Sequence, residues 1–142
     1  MATSNAATTY LENKLLSFLF KNNAGALTTP GNSIYVGLAT AVSDAEAGTL
    51  TEATFGAYAR QQVTAADWTL ASSATDTQTV TNAANIEYSA STGTSNTVTH
   101  AFIADASTGG NILFVGALDA SKTIDTGDIF RINAGNLTIE LK

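Results

Sequence analysis

Thr97-Val98-Thr99-His100-Ala101-Phe102-Ile103-Ala104-Asp105, then Ser107-Thr108-Gly109-Gly110-Asn111, then Ile112-Leu113-Phe114-Val115-Gly116-Ala117-Leu118: these residues decide the fold. The first piece alternates, with Val98, His100 and Phe102 on one side and Ala101 and Ile103 on the other, the pattern of a strand. The middle piece holds turn residues that tolerate positive φ. The last is a continuous apolar run, expected of a strand covered on both faces. Two such runs across a Gly-Gly loop predict an antiparallel hairpin.

Toward the C-terminus the same grammar repeats. Asp125-Thr126-Gly127-Asp128 reads as a turn, Ile129–Asn133 as a strand and Gly135-Asn136 as another turn. Leu137, Ile139 and Leu141 alternate with Thr138, Glu140 and Lys142 in a closing strand. Toward the N-terminus, Ile86–Ser89, Thr77–Thr81, Trp68–Ala71 and Tyr58–Thr64 are strand candidates. Val42–Phe55 carries Asp44, Glu46, Gly48 and Glu52 without a clear period and reads as a long acidic loop. After Pro30, Ile34, Val36 and Leu38 alternate with Tyr35, Gly37 and Ala39, as in a half-buried strand. Short strands separated by turn signals predict a mostly β domain, an antiparallel β-sandwich or jelly roll, over 34–141. No repeat or linker divides residues 1–142.

One segment departs from this grammar. Over 8–22, Leu11, Leu15, Phe18 and Leu19 fall on one face at helical spacing, widened by Leu16 and Phe20. Thr9 and Glu12 have capping-box spacing. Lys21 suits the negative end of the helix dipole, and Asn22, Asn23 and Gly25 stop the helix. A helix this apolar must dock, either on its own sheet or on a neighbouring subunit.

Charged residues make up only 13% of the chain, about half the usual share, while hydrophobic residues reach 44%. That excludes disorder, which needs low hydrophobicity and high net charge. Thr, Ala, Ser, Asn and Gly make a neutral polar skin suited to being covered by neighbours. A net charge of −6 with six scattered Lys and Arg leaves no basic stripe for nucleic acid. The absence of cysteine removes disulfides, thiolate nucleophiles and Cys-based zinc sites. Leu15–Phe20 is far too short for a membrane span. Met1–Asn5 has no signal-peptide character, so cytosolic synthesis is expected.

The search for chemistry yields no catalytic residue, and no cofactor is expected. His100 is the only histidine and lacks an identifiable nucleophile partner. Asp105, Asp119, Asp125 and Asp128 would suit glycosidase carboxylates, but they sit at strand ends and turns, where Asp bonds its local backbone. Asp44, Glu46 and Glu52, or Asp125 and Asp128, could offer oxygens to calcium, though not in EF-hand spacing. Asn32, Gly109, Gly110 and Asn111 lack the context of a phosphate cradle. Trp68, Tyr35, Tyr58 and Tyr88 could stack a sugar, or simply fill a β core.

The run Thr97–Ile103, with Thr108–Phe114, Gly116–Leu118, Lys122–Ile124, Gly127-Asp128 and Ala134–Leu137, resembles a family of small tailed-bacteriophage virion proteins. So do the N-terminal helix leading into Tyr35–Leu38 and the Tyr58-Ala59-Arg60 segment. The resemblance spans nearly the whole chain. Members include tail-fibre proteins and capsid decoration, or cement, proteins. It implies a non-enzymatic virion protein. The expectation is a homotrimeric cement on the capsid surface, bridging the major capsid protein. The alternative is a tail-fibre or baseplate protein, possibly contacting host glycan. The candidate partner contacts are Leu11, Leu15, Phe18 and Leu19 of the helix and Asp44, Glu46 and Glu52 of the acidic segment.

Overall fold

A computed structural model describes residues 5–23, 34–71 and 78–141. Met1–Ser4, Gly25, Pro30, Asn32, Thr77 and Lys142, which entered the sequence reading, lie outside the described residues. The order is β1 (Ala6–Ala7), α1 (Thr9–Phe20), β2 (Tyr35–Asp44), β3 (Thr49–Glu52), β4 (Gln61–Gln62), a short 3-10 turn, β5 (Trp68–Ala71), β6 (Gln78–Asn82), β7 (Ile86–Glu87), β8 (Asn96–Ala104), β9 (Ile112–Ile124), β10 (Arg131–Ile132) and β11 (Thr138–Leu141).

The expected hairpin is the spine. β8 and β9 pair antiparallel from Asn96 opposite Ile124 to Ala104 opposite Ile112. β9 runs six residues past Leu118 because its polar second half keeps pairing with β8. The alternation of β8 differs from the expected one. A register shift between Val98 and His100 turns the strand, so Val98 shares a core with Ala101 while Phe102 faces the opposite side. A bulge of this kind inverts side-chain facing at one residue, which a period-two reading cannot anticipate.

A six-stranded sheet forms around the spine in the order β1-β9-β8-β2-β3, with β4 also on β2. Two smaller sheets, β10-β7 and β11-β6-β5, lie against one of its faces. The inner core joins Val36, Leu38, Val98 and Ile124 of the large sheet with Ile86, Tyr88 and Ile132, and Trp68 and Leu137 pack on it. A second core of Ala39, Ala45, Phe102, Ala104 and Val115 fills the outer face. The protein is therefore mostly β, with curled antiparallel sheets in a sandwich-like arrangement and one helix.

Three further expectations change. Val42–Phe55 is a hairpin rather than a loop: β2 continues to Asp44 and β3 returns from Thr49. Its register shifts twice, which scrambles the sequence period. Its tight end is held by Asp44 Oδ1, which accepts from the Ala47 amide at 3.0 Å, and by Gly48 at φ 68°. Tyr58–Thr64 forms only the two-residue β4, because Tyr58 and Arg60 leave the ladder to fill a gap described below. Ile86–Ser89 and Ile129–Asn133 likewise shorten to β7 and β10.

The helix forms where its spacing places it, but Thr8, not Thr9, caps it. Thr8 Oγ1 accepts from the Leu11 amide at 3.4 Å and donates to the Ile112 carbonyl at 2.6 Å. Asn22, at φ 51°, follows the last turn in the left-handed region that Asn tolerates. No residue of α1 is buried. Covering of its own sheet is thereby overturned.

Candidate functional site

Among the described residues the helix is fastened at its N-terminal end. The Thr8 amide donates to Leu113 O at 2.9 Å and the Thr9 amide to Glu46 O at 2.8 Å. β1 holds the preceding residues against Phe114 and Val115 of β9. From this root α1 carries its apolar side chains outward. Leu16 is 57% exposed, Leu19 60% and Phe20 75%. Leu15 and Phe18 are also exposed, while Leu11, next to the root, is half-buried. At helical spacing, Phe18, Leu11, Leu15, Leu19, Leu16 and Phe20 sweep an arc of roughly 200°, interrupted by Glu12 and Thr9. Such a surface is more than a self-contained domain leaves in water.

The two contact regions expected from sequence are brought together in part. Glu46 lies in the β2–β3 turn whose carbonyl receives the Thr9 amide, so this turn and the start of α1 form one continuous surface. Asp44 serves the turn itself. Glu52 does something else. Both its carboxylate oxygens accept from Arg60, Oε1 from Nε and Oε2 from Nη2, each at 2.8 Å, and Oε1 also accepts from the Tyr58 hydroxyl at 2.8 Å.

This network closes a gap in the large sheet. β3 pairs with β2 down to Ala39 and β4 pairs with β2 at Tyr35 and Val36. Between them the Leu38 amide has no strand partner, and the Tyr58 hydroxyl accepts from it at 2.9 Å. Arg60 then lies over the Phe102 ring, 5.0 Å from its centroid, and donates to the Ala106 and Gly109 carbonyls of the β8–β9 loop. One side chain thus fixes the acid, the outer core and the loop of the spine. Burial opposes ionisation of Glu52, yet the Arg60 and Tyr58 hydrogen bonds and the Arg60 charge outweigh it and hold the carboxyl below its usual range. Burial pushes the Tyr58 and Tyr88 hydroxyls up, so both stay protonated.

Two of the aromatic candidates for sugar stacking are internal. Tyr58 and Tyr88 stack on each other at 5.9 Å, flanked edge-on by Phe55 and Phe130. Tyr88 also donates to the Val36 carbonyl at 2.8 Å. Trp68 is half-buried on the inner core. His100, Asp105, Asp125 and Asp128 have partners within the chain. His100 Nδ1 lies 2.7 Å from Thr99 Oγ1, and burial lowers its pKa. Asp105 holds Asn111 through both backbone and side chain. Asp125 Oδ1 accepts from Ser95, and Asp128 Oδ2 from the Asp125 amide at 2.9 Å. Among the described residues no three His, Asp or Glu side chains group as metal ligands.

Sequence reasoning missed Arg60 as the organiser and Asn82 altogether. Asn82 is 1% exposed; its Nδ2 donates to Ala84 and Asn133 carbonyls and its Oδ1 accepts from the Leu137 amide, building the turn before β11. A signal for Arg60 did exist. In a chain with six Lys and Arg, an arginine in a neutral stretch eight residues from a glutamate is a candidate internal pair.

A family model described as Podophage GP4 fiber I protein gp80 matches residues 6–140, which takes in α1 and all three sheets. No curated protein matches the chain. The fibre description agrees with the tail-fibre alternative and not with the capsid-cement expectation.

Proposed function

The chain belongs to the podophage GP4 fiber I protein family, and from that premise we propose that it is a non-enzymatic subunit of a tail fibre that joins other copies of itself through α1. Membership makes it a phage virion structural protein of tail-fibre type, and the cement reading gives way to that. The observation that carries the proposal is the helix. It is anchored at Thr8 and Thr9, apolar around more than half its circumference, and buried nowhere. An apolar stripe of this width on a rooted helix is stable in water only when a partner covers it. The neutral polar skin of the body supports the same reading, since few charges need desolvating when copies pack. A trimer is the assembly we assign.

The test uses the double variant Leu15→Asp/Leu19→Asp. A deletion of residues 1–22 would be ambiguous, because it also removes β1 from the edge of β9. The wild-type chain is expected to sediment as a trimer and the variant as a folded monomer. Quantitative mass spectrometry of virions should find the chain at a small fraction of the major capsid protein. A monomeric wild-type chain sinks the assembly role. A near-equal copy number returns the protein to the shell.

A further inference from the structure

The apolar arc of α1 has a charge near its middle. With Leu11 as origin and roughly 100° per residue, the arc runs from Phe18 at about 340° to Phe20 at about 180°, so its midpoint falls at Leu19. Glu12 stands about 20° from that midpoint. Leu19 and Leu16 flank it and are among the most exposed side chains of the helix. Among the described residues the Glu12 carboxylate has no hydrogen bond or ion pair. The cations of the helix are turned away from it. Lys14 lies over the Tyr10 ring, 5.5 Å from its centroid, and Lys21 follows the last turn; both stand roughly 140° or more from the midpoint. The half-buried positions of the helix, Leu11, Lys14 and Ser17, lie together on that flank, so it is the flank turned to the chain's own body. The β2–β3 turn brings Asp44 and Glu46 to the root as its charged groups, both acidic, while β1 and Ile112–Leu113 bring none.

We infer that the α1 helices of three copies run side by side about one axis, and that Glu12, brought to that axis by each copy, sets how tightly they hold. This rests on the proposal that copies join through α1 as a trimer. Two features of the helix carry it. The first is width. An apolar arc of roughly 200° exceeds the narrow seam that one helical partner covers and matches a helix with a neighbour on either side. The second is height. In a closed trimer one rotation relates the copies, so equal residues stand at equal height about the axis. Three Glu12 carboxylates then meet at one level, with Lys14 and Lys21 on the far sides. Like charges brought together and partly stripped of water repel one another. The charge therefore opposes the association that Leu15, Leu16, Leu19 and Phe20 drive. The helix itself favours an acid in its first turn, where its dipole is positive. Glu12 thus supports the free helix and weakens the bundle, and its removal acts with opposite sign on the two. Acid acts as removal does: protonating the three carboxylates lifts the repulsion, so the trimer holds more tightly as pH falls.

The test is sedimentation of the full-length wild type and Glu12→Gln over a dilution series. The variant is expected to associate at least about tenfold more tightly at neutral pH. Between about pH 7 and about pH 5 the wild type is expected to tighten and the variant to change much less. Asp119→Asn removes the same charge from an exposed position on β9. It is expected to associate as the wild type does, which separates Glu12 from net charge. Unchanged or weaker association of Glu12→Gln would overturn the inference while leaving assembly through α1 intact. Monomers of both proteins at every concentration would remove the underlying reading as well. The absence of cysteine allows a second check of the geometry. A short bis-maleimide is expected to join Glu12→Cys chains to one another and to leave Lys14→Cys chains, changed on the far side of the helix, unjoined. Crosslinking of Lys14→Cys in place of Glu12→Cys would overturn the placement of Glu12 at the axis.

Discussion

Glu52 shows how one side chain can hold three parts of a fold. Its two oxygens take the Arg60 fork and the Tyr58 hydroxyl, and Tyr58 in turn serves the stranded Leu38 amide. Because these donors hold the folded pKa below the usual 4.5, the stabilisation is complete above that pH and is lost as pH falls through the folded value. Glu52→Gln is expected to cost about 1–2 kcal/mol at neutral pH. Its melting temperature should also fall less than that of the wild type on acidification from about pH 5 to about pH 3. Calorimetry across that range checks both. Parallel acid profiles for the two proteins would show that Glu52 carries no linked proton. Arg60→Lys should not substitute, since an ammonium cannot span both oxygens and lie flat on Phe102. Gly37 makes a second residue-scale case. It pairs with Phe102 across β2 and β8, and an added Cβ would stand within 2.7 Å of three ring atoms. Gly37→Ala is therefore expected to destabilise by about 1–3 kcal/mol, measured by denaturant unfolding, and Phe102→Leu in the same chain should recover part of the loss.

At the scale of elements, the parts legible from sequence were those whose side-chain period survives in the structure. β5 and the closing strand fall where the sequence placed them, and the β8–β9 hairpin does so by its turn residues and apolar runs, although the register shift in β8 inverts the facing expected beyond Val98. The helix was legible because Leu11, Leu15, Phe18 and Leu19 recur at helical spacing. The β2–β3 hairpin was not, since two register shifts break its period and Asp44 and Glu46 resemble a solvated loop. Tyr58 and Arg60 were misread as strand because their roles are long-range, to Leu38, Phe102 and the 106–109 carbonyls, and local pattern carries no trace of such partners. The outer cover of α1 was left open between two answers by the sequence, since an apolar stripe says that something covers it and not what. Thr8 marks the boundary between helix and body. Removing its hydroxyl by Thr8→Val deletes the bond to Ile112 O and the cap on Leu11, worth about 1–2 kcal/mol together. In the monomeric Leu15→Asp/Leu19→Asp background, Thr8→Val should speed amide exchange across α1 and leave β8 and β9 protected. Equal acceleration in the spine would mean that helix and body unfold as one unit.

At the scale of the whole molecule, the chain is a body with two cores and an unshielded arm. The body's cohesion is internal: the hairpin spine, the stacked Tyr58 and Tyr88, and Asn82 with its partners satisfied inside the chain. The arm's cohesion is not, because none of its apolar side chains is buried. A molecule built this way couples stability to concentration, since association binds only the folded form and so raises the free energy of unfolding by mass action. The melting temperature of the wild-type chain is expected to rise steadily with protein concentration. Leu15→Asp/Leu19→Asp should melt at one temperature at every concentration, below the concentrated wild type, with its β-sheet circular dichroism intact. Scanning calorimetry over a hundredfold dilution series, about 3 kcal/mol of mass action at full linkage, decides between the two behaviours. A wild-type melting temperature independent of concentration would mean that the exposed helix gains nothing from other copies, and would direct the search for its cover to a different protein of the tail.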